Sequence, residues 1–567
     1  MEELLAPFRS PDIQVTLGIN LLLAWGFYLT VVTGQLSLGH SAFMAIGAYG
    51  ASIITIKYGL PLSVGLVGGT LAACVAGIVV GLPVLRLSGM YLAIATLALV
   101  YIVTLILENW DFVGGRLGIS GMQGTSIWLV WTLVFVVGAF LAFFERSRLM
   151  LAMRSARENG DAARAIGMNL TAIRVSGFAA GAALCGLGGG LWAHYIIFID
   201  PYQFGLIKSF DIVLFVVMGG MGSFWGPVLG AGVMTILPVW VRVLKDWREV
   251  AFGILLIVMM GFRPQGIISP EWIAARRRKR AAKKAAASSD SATDASVLPI
   301  AIRRATDAVD GEILLDVRML SKAFGGVRAL ADVSVQARRG EILGVIGPNG
   351  AGKSTFFNCL TGFIPPDNGE ALFGKTALHT LPAHAIARCG VRRTFQQGGV
   401  FGSFSVRNNI RAGQHATVPV YRSSLLPFFA RKEEQEGEAR IRGILEEVGL
   451  AGKELVTAAS LSYGDQRRLE IARALAGNPE LLLLDEPAAG MNQTEANGLA
   501  DLLRRLRSRG LTIVLIEHNM SLVMSLCDRL YVLDHGEIIA EGAPADVAKN
   551  PAVIEAYLGD EATGATP

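Results

Sequence analysis

A glycine-rich run in the second half of the chain has the residue types and spacing needed to hold phosphate groups. It reads GPNGAGKS at Gly347–Ser354 and matches the P-loop pattern G-x-x-x-x-G-K-[ST] between an apolar run and a predicted helix. Glycines let backbone N–H groups wrap a polyphosphate, and the helix N-terminus adds partial positive charge. We therefore predict a site for ATP and Mg²⁺. The predicted contacts come from Gly347, Asn349, Gly350, Gly352, Lys353, Ser354 and Thr355.

Two carboxylates end a second apolar run, LLLLDE at Leu481–Glu486. Asp485 is expected to bind Mg²⁺ together with the Ser354 hydroxyl, and Glu486 to polarise the attacking water. Lys353 is expected to reach the β- and γ-phosphates. An acid-terminated strand downstream of a P-loop predicts that ATP is hydrolysed as well as bound.

The run LSYGDQRRLEIARAL, at Leu461–Leu475, resembles the signature motif of ABC ATPases, which is usually written LSGGQ. The chain differs from that motif at Tyr463 and Asp465 and retains Ser462 and Gly464. The resemblance implies that Ser462 and Gly464 contact ATP held by an opposite subunit. It therefore implies a dimer of nucleotide-binding domains.

Other positions match landmarks of the same family. Phe324 lies upstream of the P-loop, where the family stacks an aromatic ring on adenine. Gln396 in RTFQQ matches the loop glutamine that reaches Mg²⁺, although Gln397 is an alternative for that role. His518 in IVLIEHNM matches the histidine at the γ-phosphate, which would make Glu486 and His518 the catalytic residues. Asn492 in AAGMN stands where many relatives have Asp.

Short apolar runs alternate with predicted helices from Ile313 onward. Glu341–Ile346, Leu481–Leu484 and Ile513–Ile516 are typical of buried strands, which predicts an α/β fold with a largely parallel sheet. We assign residues 313–567 to an ABC-type nucleotide-binding domain.

The first half of the chain is apolar over lengths that suit a membrane, where a spanning helix needs about 20 largely apolar residues. We therefore predict a polytopic α-helical transmembrane domain over residues 1–270, ahead of the α/β nucleotide-binding domain. The candidate segments are Ile13–Val32, Leu38–Ile56, Leu62–Leu85, Met90–Leu107, Ile127–Phe144, Ala172–Trp192, Ile212–Met218 with Pro227–Val243, and Val250–Phe262.

Small and polar residues interrupt these apolar segments. Glycines such as Gly181, Gly186 and Gly190 favour close helix packing, with broken helices as the alternative. Polar residues inside membranes are functional candidates by default, although some of them lie near predicted segment ends. The polar candidates are Asn20, Gln35, His40 and Asp211.

Two basic regions indicate which side of the membrane is cytoplasmic. The loop Glu145–Arg174 and the tail after Arg263 are rich in Arg and Lys, which places both in the cytoplasm by the positive-inside rule. Residues 271–312 predict a basic, low-complexity cytoplasmic linker. The acidic start of the chain lacks the basic region of a cleavable signal peptide, so the first apolar segment is expected to stay in the membrane.

Three runs in the membrane half are similar to permeases of branched-chain amino acid importers. They are GQLSLGHSAFMAIGAY (Gly34–Tyr49), GGMGSFWGPVLGA (Gly219–Ala231) and FRPQGI (Phe262–Ile267). The ending NPAVIEAYLG, at Asn550–Gly559, looks like that system's ATP-binding subunit. Ala156–Asn169 looks like the segment through which such a permease docks on its ATPase. Relatives of this permease also carry urea, amides and other small organic solutes.

The resemblance implies a multi-pass protein of the inner membrane whose nucleotide-binding domain lies in the cytoplasm. Its expected partners are a second permease, a second ABC ATPase, an extracytoplasmic solute-binding protein and membrane lipid. A net charge of +5 does not call for nucleic acid. An exporter half-transporter and a non-transporting membrane ATPase are the rival hypotheses. A non-transporting ATPase predicts a degenerate catalytic set, whereas Lys353, Asp485, Glu486 and His518 are all present.

Overall fold

Two compact units make up the chain in the computed structural model. The first comprises Met1–Arg157 and Leu170–Ala292, and the second comprises Glu158–Asn169 and Thr293–Pro567. The structure describes residues 10–87, 89–240, 311–396, 399–418 and 431–562, with isolated positions between 247 and 267. The predicted linker apart from Gly311 and Glu312, six of the thirteen residues of the predicted span Val250–Phe262, and the alternative glutamine Gln397 lie outside these residues.

Helices dominate the chain as far as residue 240, as the long apolar runs predict. They are α1 (Pro11–Val32), α2 (His40–Ser52), α3 (Leu62–Val84), α4 (Met90–Glu108), α5 (Ile127–Phe144), α6 (Arg148–Glu158), α7 (Gly160–Ala165), α8 (Leu170–Ile196), α9 (Leu206–Gly219) and α10 (Trp225–Trp240). A short antiparallel pair, β1 (Ile119–Ser120) and β2 (Phe198–Ile199), lies among the loops.

Six helices in the described part of the chain are long and apolar enough to cross a bilayer by length and composition. They are Pro11–Val32, Leu62–Val84, Met90–Glu108, Ile127–Phe144, Leu170–Ile196 and Pro201–Gly219. The predicted span Leu38–Ile56 corresponds to the shorter helix α2, which a π-helical turn extends over Ile53–Lys57. The permease half is therefore multi-pass.

The glycines of α8 serve close packing and do not break the helix. Helix α8 is continuous over 27 residues. A Cβ built on Gly47 of α2 would lie 2.2 Å from the Cα of Gly186, and one on Gly189 would lie 2.0 Å from the Met44 carbonyl oxygen. Any larger side chain at these positions would separate the backbones of α2 and α8. This result favours close helix packing over broken helices as the role of these glycines.

Strands and helices alternate in the second unit. The strands are β3 (Ile313–Phe324), β4 (Val327–Arg338), β5 (Ile342–Ile346), β6 (Asn368–Phe373), β7 (Thr376–Ala377), β8 (Val391–Arg393), β9 (Leu481–Asp485), β10 (Thr512–Ile516), β11 (Arg529–Asp534) and β12 (Glu537–Gly542). The helices are α11 (Lys353–Leu360), α12 (Ala383–Cys389), α13 (Val406–Gly413), α14 (Arg431–Glu447), α15 (Tyr463–Leu475), α16 (Gln493–Ser508), α17 (Met520–Leu526), α18 (Pro544–Val547) and α19 (Pro551–Ala562).

A six-stranded sheet forms the centre of this unit, with the strand order β12-β11-β5-β10-β9-β8. Neighbouring strands from β11 to β8 are parallel, and β12 joins the edge in the antiparallel sense. A four-stranded antiparallel sheet has the order β4-β3-β6-β7. The prediction of an α/β fold with a largely parallel main sheet is confirmed.

Strand β9 shows why the apolar runs of this unit form central strands. All five of its residues are buried. Leu482 and Leu484 pack into one apolar cluster, and Leu481 and Leu483 pack into another. Successive side chains of a strand point to opposite faces, so a strand covered on both faces needs a continuous apolar run. Strands β5, β10 and β9 lie side by side in parallel and end at the same edge of the sheet, where the candidate site forms.

Candidate nucleotide site

The loop between β5 and α11 has the backbone shape of a phosphate cradle. Gly350 and Gly352 have φ values of +84° and +101°, which non-glycine residues rarely adopt. At Gly352 an added Cβ would also lie 2.3 Å from the Ala329 carbonyl oxygen. The loop leads directly into α11 at Lys353. It therefore presents backbone N–H groups and a helix N-terminus to one place, as an anion site requires.

The Lys353 side chain lies across this loop. Its Nζ donates hydrogen bonds to the carbonyl oxygens of Gly347 and Pro348, each at 2.7 Å. Burial lowers the pKa of Lys353, while the charges of Glu486 and Asp485 act in the opposite direction. The ammonium group is thus held beside the phosphate cradle by carbonyl oxygens that a phosphate oxygen could replace. Ser354, the next residue, is exposed.

Three residues that the sequence predicted separately meet at the carboxylate of Glu486. Gln396 Nε2 donates to Glu486 Oε2 at 2.6 Å, and His518 Nε2 lies 2.8 Å from Glu486 Oε1. Glu486 follows β9 with a φ of +47°, an unusual value for a non-glycine residue. Backbone strain of this kind is common where a structure fixes a functional side chain. The glutamate is thereby held from both sides.

Asp485 is paired with a residue that the sequence analysis missed. Arg393, at the end of β8, donates from Nη2 to Asp485 Oδ2 at 2.8 Å, and both side chains are almost fully buried. Arg393 also donates to Asn358 Oδ1 at 2.6 Å and lies over the ring of Phe395. An arginine three residues before a loop glutamine gives no signal of its own. Only the pairing of β8 with β9 brings the two charges together.

The side chains predicted to bind Mg²⁺ carry oxygen atoms of the kind that this ion prefers. The Ser354 hydroxyl, the Asp485 carboxylate and the Gln396 amide supply hard oxygen ligands, which Mg²⁺ prefers. No group of three or more His, Cys, Asp or Glu residues that could hold a metal alone occurs in the described part of the chain.

Replacing Arg393 by methionine is expected to destabilise the second unit by about 3–5 kcal/mol, because Asp485 would remain as a buried carboxylate without its cation. Calorimetric unfolding of the assembled transporter should show this as a lower transition temperature. Arg504→Met is the matched control, since Arg504 forms an exposed pair with Asp501 that contributes about 0–1 kcal/mol. Equal transition temperatures for the two variants would contradict the prediction.

Ser462 and Gly464 lie at the start of α15. Ser462 Oγ accepts a hydrogen bond from the Asp465 backbone N–H at 3.3 Å and so caps the helix. Gly464 is buried, and an added Cβ there would lie 2.7 Å from Glu495 Oε1. A larger residue at position 464 would therefore have to displace the end of the Glu495 side chain. Its predicted contact with a nucleotide of an opposite subunit stays a prediction.

Asn492 forms a capping box at the start of α16. Its Oδ1 accepts from the Glu495 backbone N–H at 2.9 Å, and Glu495 Oε2 accepts from the Asn492 backbone N–H at 3.1 Å. Aspartate can accept the same hydrogen bond, which explains how both residues suit this position.

Asn492→Ala is expected to lower the free energy of unfolding by about 1 kcal/mol, because it removes the side-chain cap. Asn492→Asp should stay within about 0.5 kcal/mol of the parent, since aspartate caps equally well. Thermal unfolding of both variants checks this pair of expectations. A larger loss for the aspartate variant than for the alanine variant would show that capping is not the role of this side chain.

Phe324 ends strand β3, and its ring is 47% exposed. Lys322 Nζ lies 5.7 Å from the centre of that ring. An exposed aromatic face beside the strand hairpin is available for stacking, and its contact with adenine stays a prediction.

Glu517 is a second residue that the sequence analysis missed. Its carboxylate accepts from the backbone N–H of Ala488 at 2.6 Å and from that of His518 at 3.0 Å. The side chain is buried and joins the segment after Glu486 to the segment that carries His518. Its place directly before His518, at the end of an apolar strand, was the available signal.

Three of the four polar candidates of the membrane half pair with threonines of the same unit. Asn20 Nδ2 donates to Thr235 Oγ1 at 3.0 Å, and His40 Nε2 lies 3.1 Å from Thr30 Oγ1. Thr33 Oγ1 donates to Gln35 Oε1 at 3.1 Å. Each contact uses one polar atom of its side chain, while Gln35 Nε2 is buried without a hydrogen-bond partner. These contacts do not by themselves form a solute site.

Residues 158–169 pack with the ATPase residues of the second unit. Glu158 accepts from the Ser403 backbone N–H at 2.7 Å, and Arg388 Nε donates to the Gly167 carbonyl oxygen at 3.1 Å. Arg164 lies 5.1 Å from the ring centre of Phe363. Most of the segment that resembles a docking segment thus belongs to the compact unit that binds nucleotide.

The fold and the site together define an ABC-type ATPase joined to a multi-pass permease. Comparison with protein families gives the same result: residues 330–489 match the family "ABC transporter". Residues 12–261 match "Branched-chain amino acid transport system / permease component", and residues 537–563 match "Branched-chain amino acid ATP-binding cassette transporter".

Individual proteins resemble the second half closely. The chain is 46% identical over 251 residues to the high-affinity branched-chain amino acid transport ATP-binding protein LivG of Salmonella typhimurium, which covers 44% of this chain and 98% of that protein. It is 42% identical over 251 residues to BraF of Pseudomonas aeruginosa, with the same coverage of 44% and 98%. A crystal structure of a nucleotide-free ATP-binding cassette from an ABC transporter is 31% identical, covers 43% of this chain and 98% of that one, and has a TM-score of 0.39.

The chain belongs to the branched-chain amino acid ABC transporter family and carries a permease component and an ATP-binding component in one polypeptide. It is therefore an ATP hydrolase whose activity is coupled to transport.

Proposed function

We propose that the chain is the fused permease–ATPase subunit of an importer for branched-chain amino acids. The observation that carries this proposal is the match of one polypeptide to the permease and to the ATP-binding cassette of the same transport system. The carboxylate cluster supports a working motor, because Gln396 and His518 both contact Glu486. A membrane ATPase without transport would not need the permease.

The geometry suggests a role for each residue of the site. Lys353 and the loop N–H groups bind the phosphates of ATP, and Ser354, Gln396 and Asp485 are the proposed Mg²⁺ ligands. When bound, the ion would neutralise charge on the β- and γ-phosphates. Glu486 would accept a proton from the attacking water, while His518 and Gln396 orient its carboxylate.

The remaining subunits must come from other chains or copies. The sequence contains one P-loop and one permease half. A second permease, a second ABC ATPase and an extracytoplasmic solute-binding protein would complete the importer in the inner membrane. Residues 156–169 would transmit nucleotide-driven movement, since residues 158–169 pack with the ATPase residues.

Uptake into proteoliposomes tests this function. The chain would be reconstituted with the permease, ATPase and solute-binding protein encoded beside it, and ATP enclosed on the side of the nucleotide-binding domains. We expect binding-protein-dependent accumulation of labelled leucine, and no accumulation when Glu486→Gln is combined with the same change in the partner ATPase. ATP-dependent uptake of urea, acetamide or a small carboxylate in place of leucine would overturn the substrate assignment. Outward transport without a binding protein would overturn import.

A further inference from the structure

A buried guanidinium joins the signature helix α15 to the loop that carries Gln396. Arg467 Nη1 donates to the Phe395 carbonyl oxygen at 2.8 Å, and Arg467 Nη2 donates to the carbonyl oxygen of Gln396. The Arg467 side chain is only 5% exposed. Two successive peptide groups of the glutamine loop are therefore held by one side chain of α15.

Glu470 completes this attachment one helical turn further along. It accepts from Arg467 Nη1 at 3.0 Å and from the backbone N–H of Gly399. Burial raises the pKa of Glu470, and the charge of Arg467 acts against that shift. Arg467 and Glu470 lie one turn apart on the same helix, so they could pair without contacting the loop that carries Gln396. Here both partners extend instead to the backbone on either side of Gln396.

Tyr463 adds a second connection, at a position where the ABC signature usually has glycine. Its hydroxyl accepts from Arg467 Nη2 at 2.7 Å, and the Arg467 guanidinium lies 5.1 Å from its ring centre. The other side of the ring meets Gly490, where an added Cβ would lie 3.1 Å from Tyr463 Cε1. Glycine at position 463 would provide neither contact. Tyr463 thus connects Arg467 with the segment that follows Glu486.

The series of hydrogen bonds that begins at α15 ends at Glu486, the proposed catalytic base. Gln396, whose carbonyl oxygen Arg467 holds, donates through its side chain to Glu486 Oε2 at 2.6 Å. Ser462 and Gly464, which flank Tyr463, are the residues expected to meet a nucleotide bound by the opposite subunit. A change at the start of α15 would therefore reach Glu486 through defined hydrogen bonds.

We propose that Tyr463 and Arg467 are positioning residues that set the geometry of Gln396 and Glu486. A nucleotide that meets the start of α15 then alters hydrolysis at this chain's own site, besides the site of the opposite subunit. The inference rests on the proposed role of Glu486 as general base.

Turnover at this chain's own site must be isolated to test the inference. The assembled transporter would carry a glutamine in place of the general base of the partner ATPase, so that Glu486 supports the remaining hydrolysis. Tyr463→Phe removes one hydrogen-bond acceptor and keeps the ring. Arg467→Lys keeps the charge and removes the planar group that reaches two carbonyl oxygens. Arg468→Lys is the matched control, because Arg468 is 32% exposed and its ion pair among the described residues is a long 3.9 Å contact with Asp465.

We expect kcat to fall by about 3- to 30-fold in Arg467→Lys and by a smaller factor in Tyr463→Phe, with the KM for ATP unchanged within about twofold. Hydrogen exchange of the peptide around Phe395–Gly402 should become faster in Arg467→Lys and stay unchanged in Arg468→Lys. If Arg467→Lys lowers the unfolding temperature of the unit, the kcat of Tyr463→Phe alone tests the positioning role.

An unchanged kcat in Tyr463→Phe and Arg467→Lys would overturn the inference, as would a rise in KM with constant kcat. Failure of the proposed function gives a different result. In that case Glu486→Gln itself would keep hydrolysing ATP in the same background, whatever residues stand at 463 and 467. Loss of turnover in Glu486→Gln with no effect of the other two variants rejects only the positioning role.

Discussion

Glu486→Gln is expected to lower ATP turnover at this chain's site by about 10²- to 10⁴-fold, the range that a positioned general base contributes. Glutamine keeps the size of the side chain and can still contact Gln396 and His518, whereas it cannot accept a proton from water. ATP binding should stay within about twofold of the parent, because the phosphate cradle is unchanged. Single-turnover hydrolysis and equilibrium binding of labelled ATP measure the two effects separately.

The assembled transporter needs two controls for this measurement. The general base of the partner ATPase must be replaced as well, since its site would otherwise sustain turnover. Glu537→Gln is the matched control within the chain, because Glu537 is an exposed residue of edge strand β12. It should hydrolyse ATP at the parental rate. Turnover in Glu486→Gln equal to that of Glu537→Gln would remove Glu486 from the role of base.

Lys353→Met is expected to weaken ATP binding by about tenfold to 100-fold, the effect of losing one or more hydrogen bonds to a charged group. Methionine fills a similar volume and leaves the loop backbone in place. It removes the ammonium group that lies 2.7 Å from the carbonyl oxygens of Gly347 and Pro348. Hydrolysis should fall further, because the same group is expected to stabilise charge on the transferred phosphate.

The affinity measurement distinguishes binding from folding. Lys375→Met serves as the control, since Lys375 is exposed in the turn between β6 and β7. Both variants should unfold at the parental temperature without nucleotide, and only Lys353→Met should lose the stabilisation that excess ATP gives. Equal stabilisation of the two variants by ATP would contradict the assignment of Lys353.

Local pattern was enough to predict the α/β fold and the membrane character of the first half. Apolar runs such as LLLLD form strands buried on both faces, and glycines at Gly350 and Gly352 take backbone angles that other residues disfavour. These features depend on neighbours in the chain. The type of each element could therefore be predicted from the sequence, and the order of the P-loop, the signature run and the strand-end acids identified the family.

Segment lengths in the membrane half were harder to predict. Leu38–Ile56 is largely apolar, yet the α-helix covers only His40–Ser52 before the helical pitch changes. The glycines of α8 suited either a broken helix or close packing. Contact with α2 decided between them, because Gly186 and Gly189 lie against backbone atoms of Gly47 and Met44. No local pattern contains that information.

The sequence by itself predicted which residues bear the chemistry: Lys353, Asp485, Glu486 and His518 each stand in a motif of recognisable spacing. Tertiary structure decided how they are held. Arg393 meets Asp485 because β8 pairs with β9, and Arg467 meets the Gln396 loop because α15 packs beside it. A motif is recognisable because local geometry around a phosphate sets the spacing of its residues along the chain. These two arginines instead contact residues that lie 71 to 92 positions away in the sequence. Only the folded chain brings such charges together.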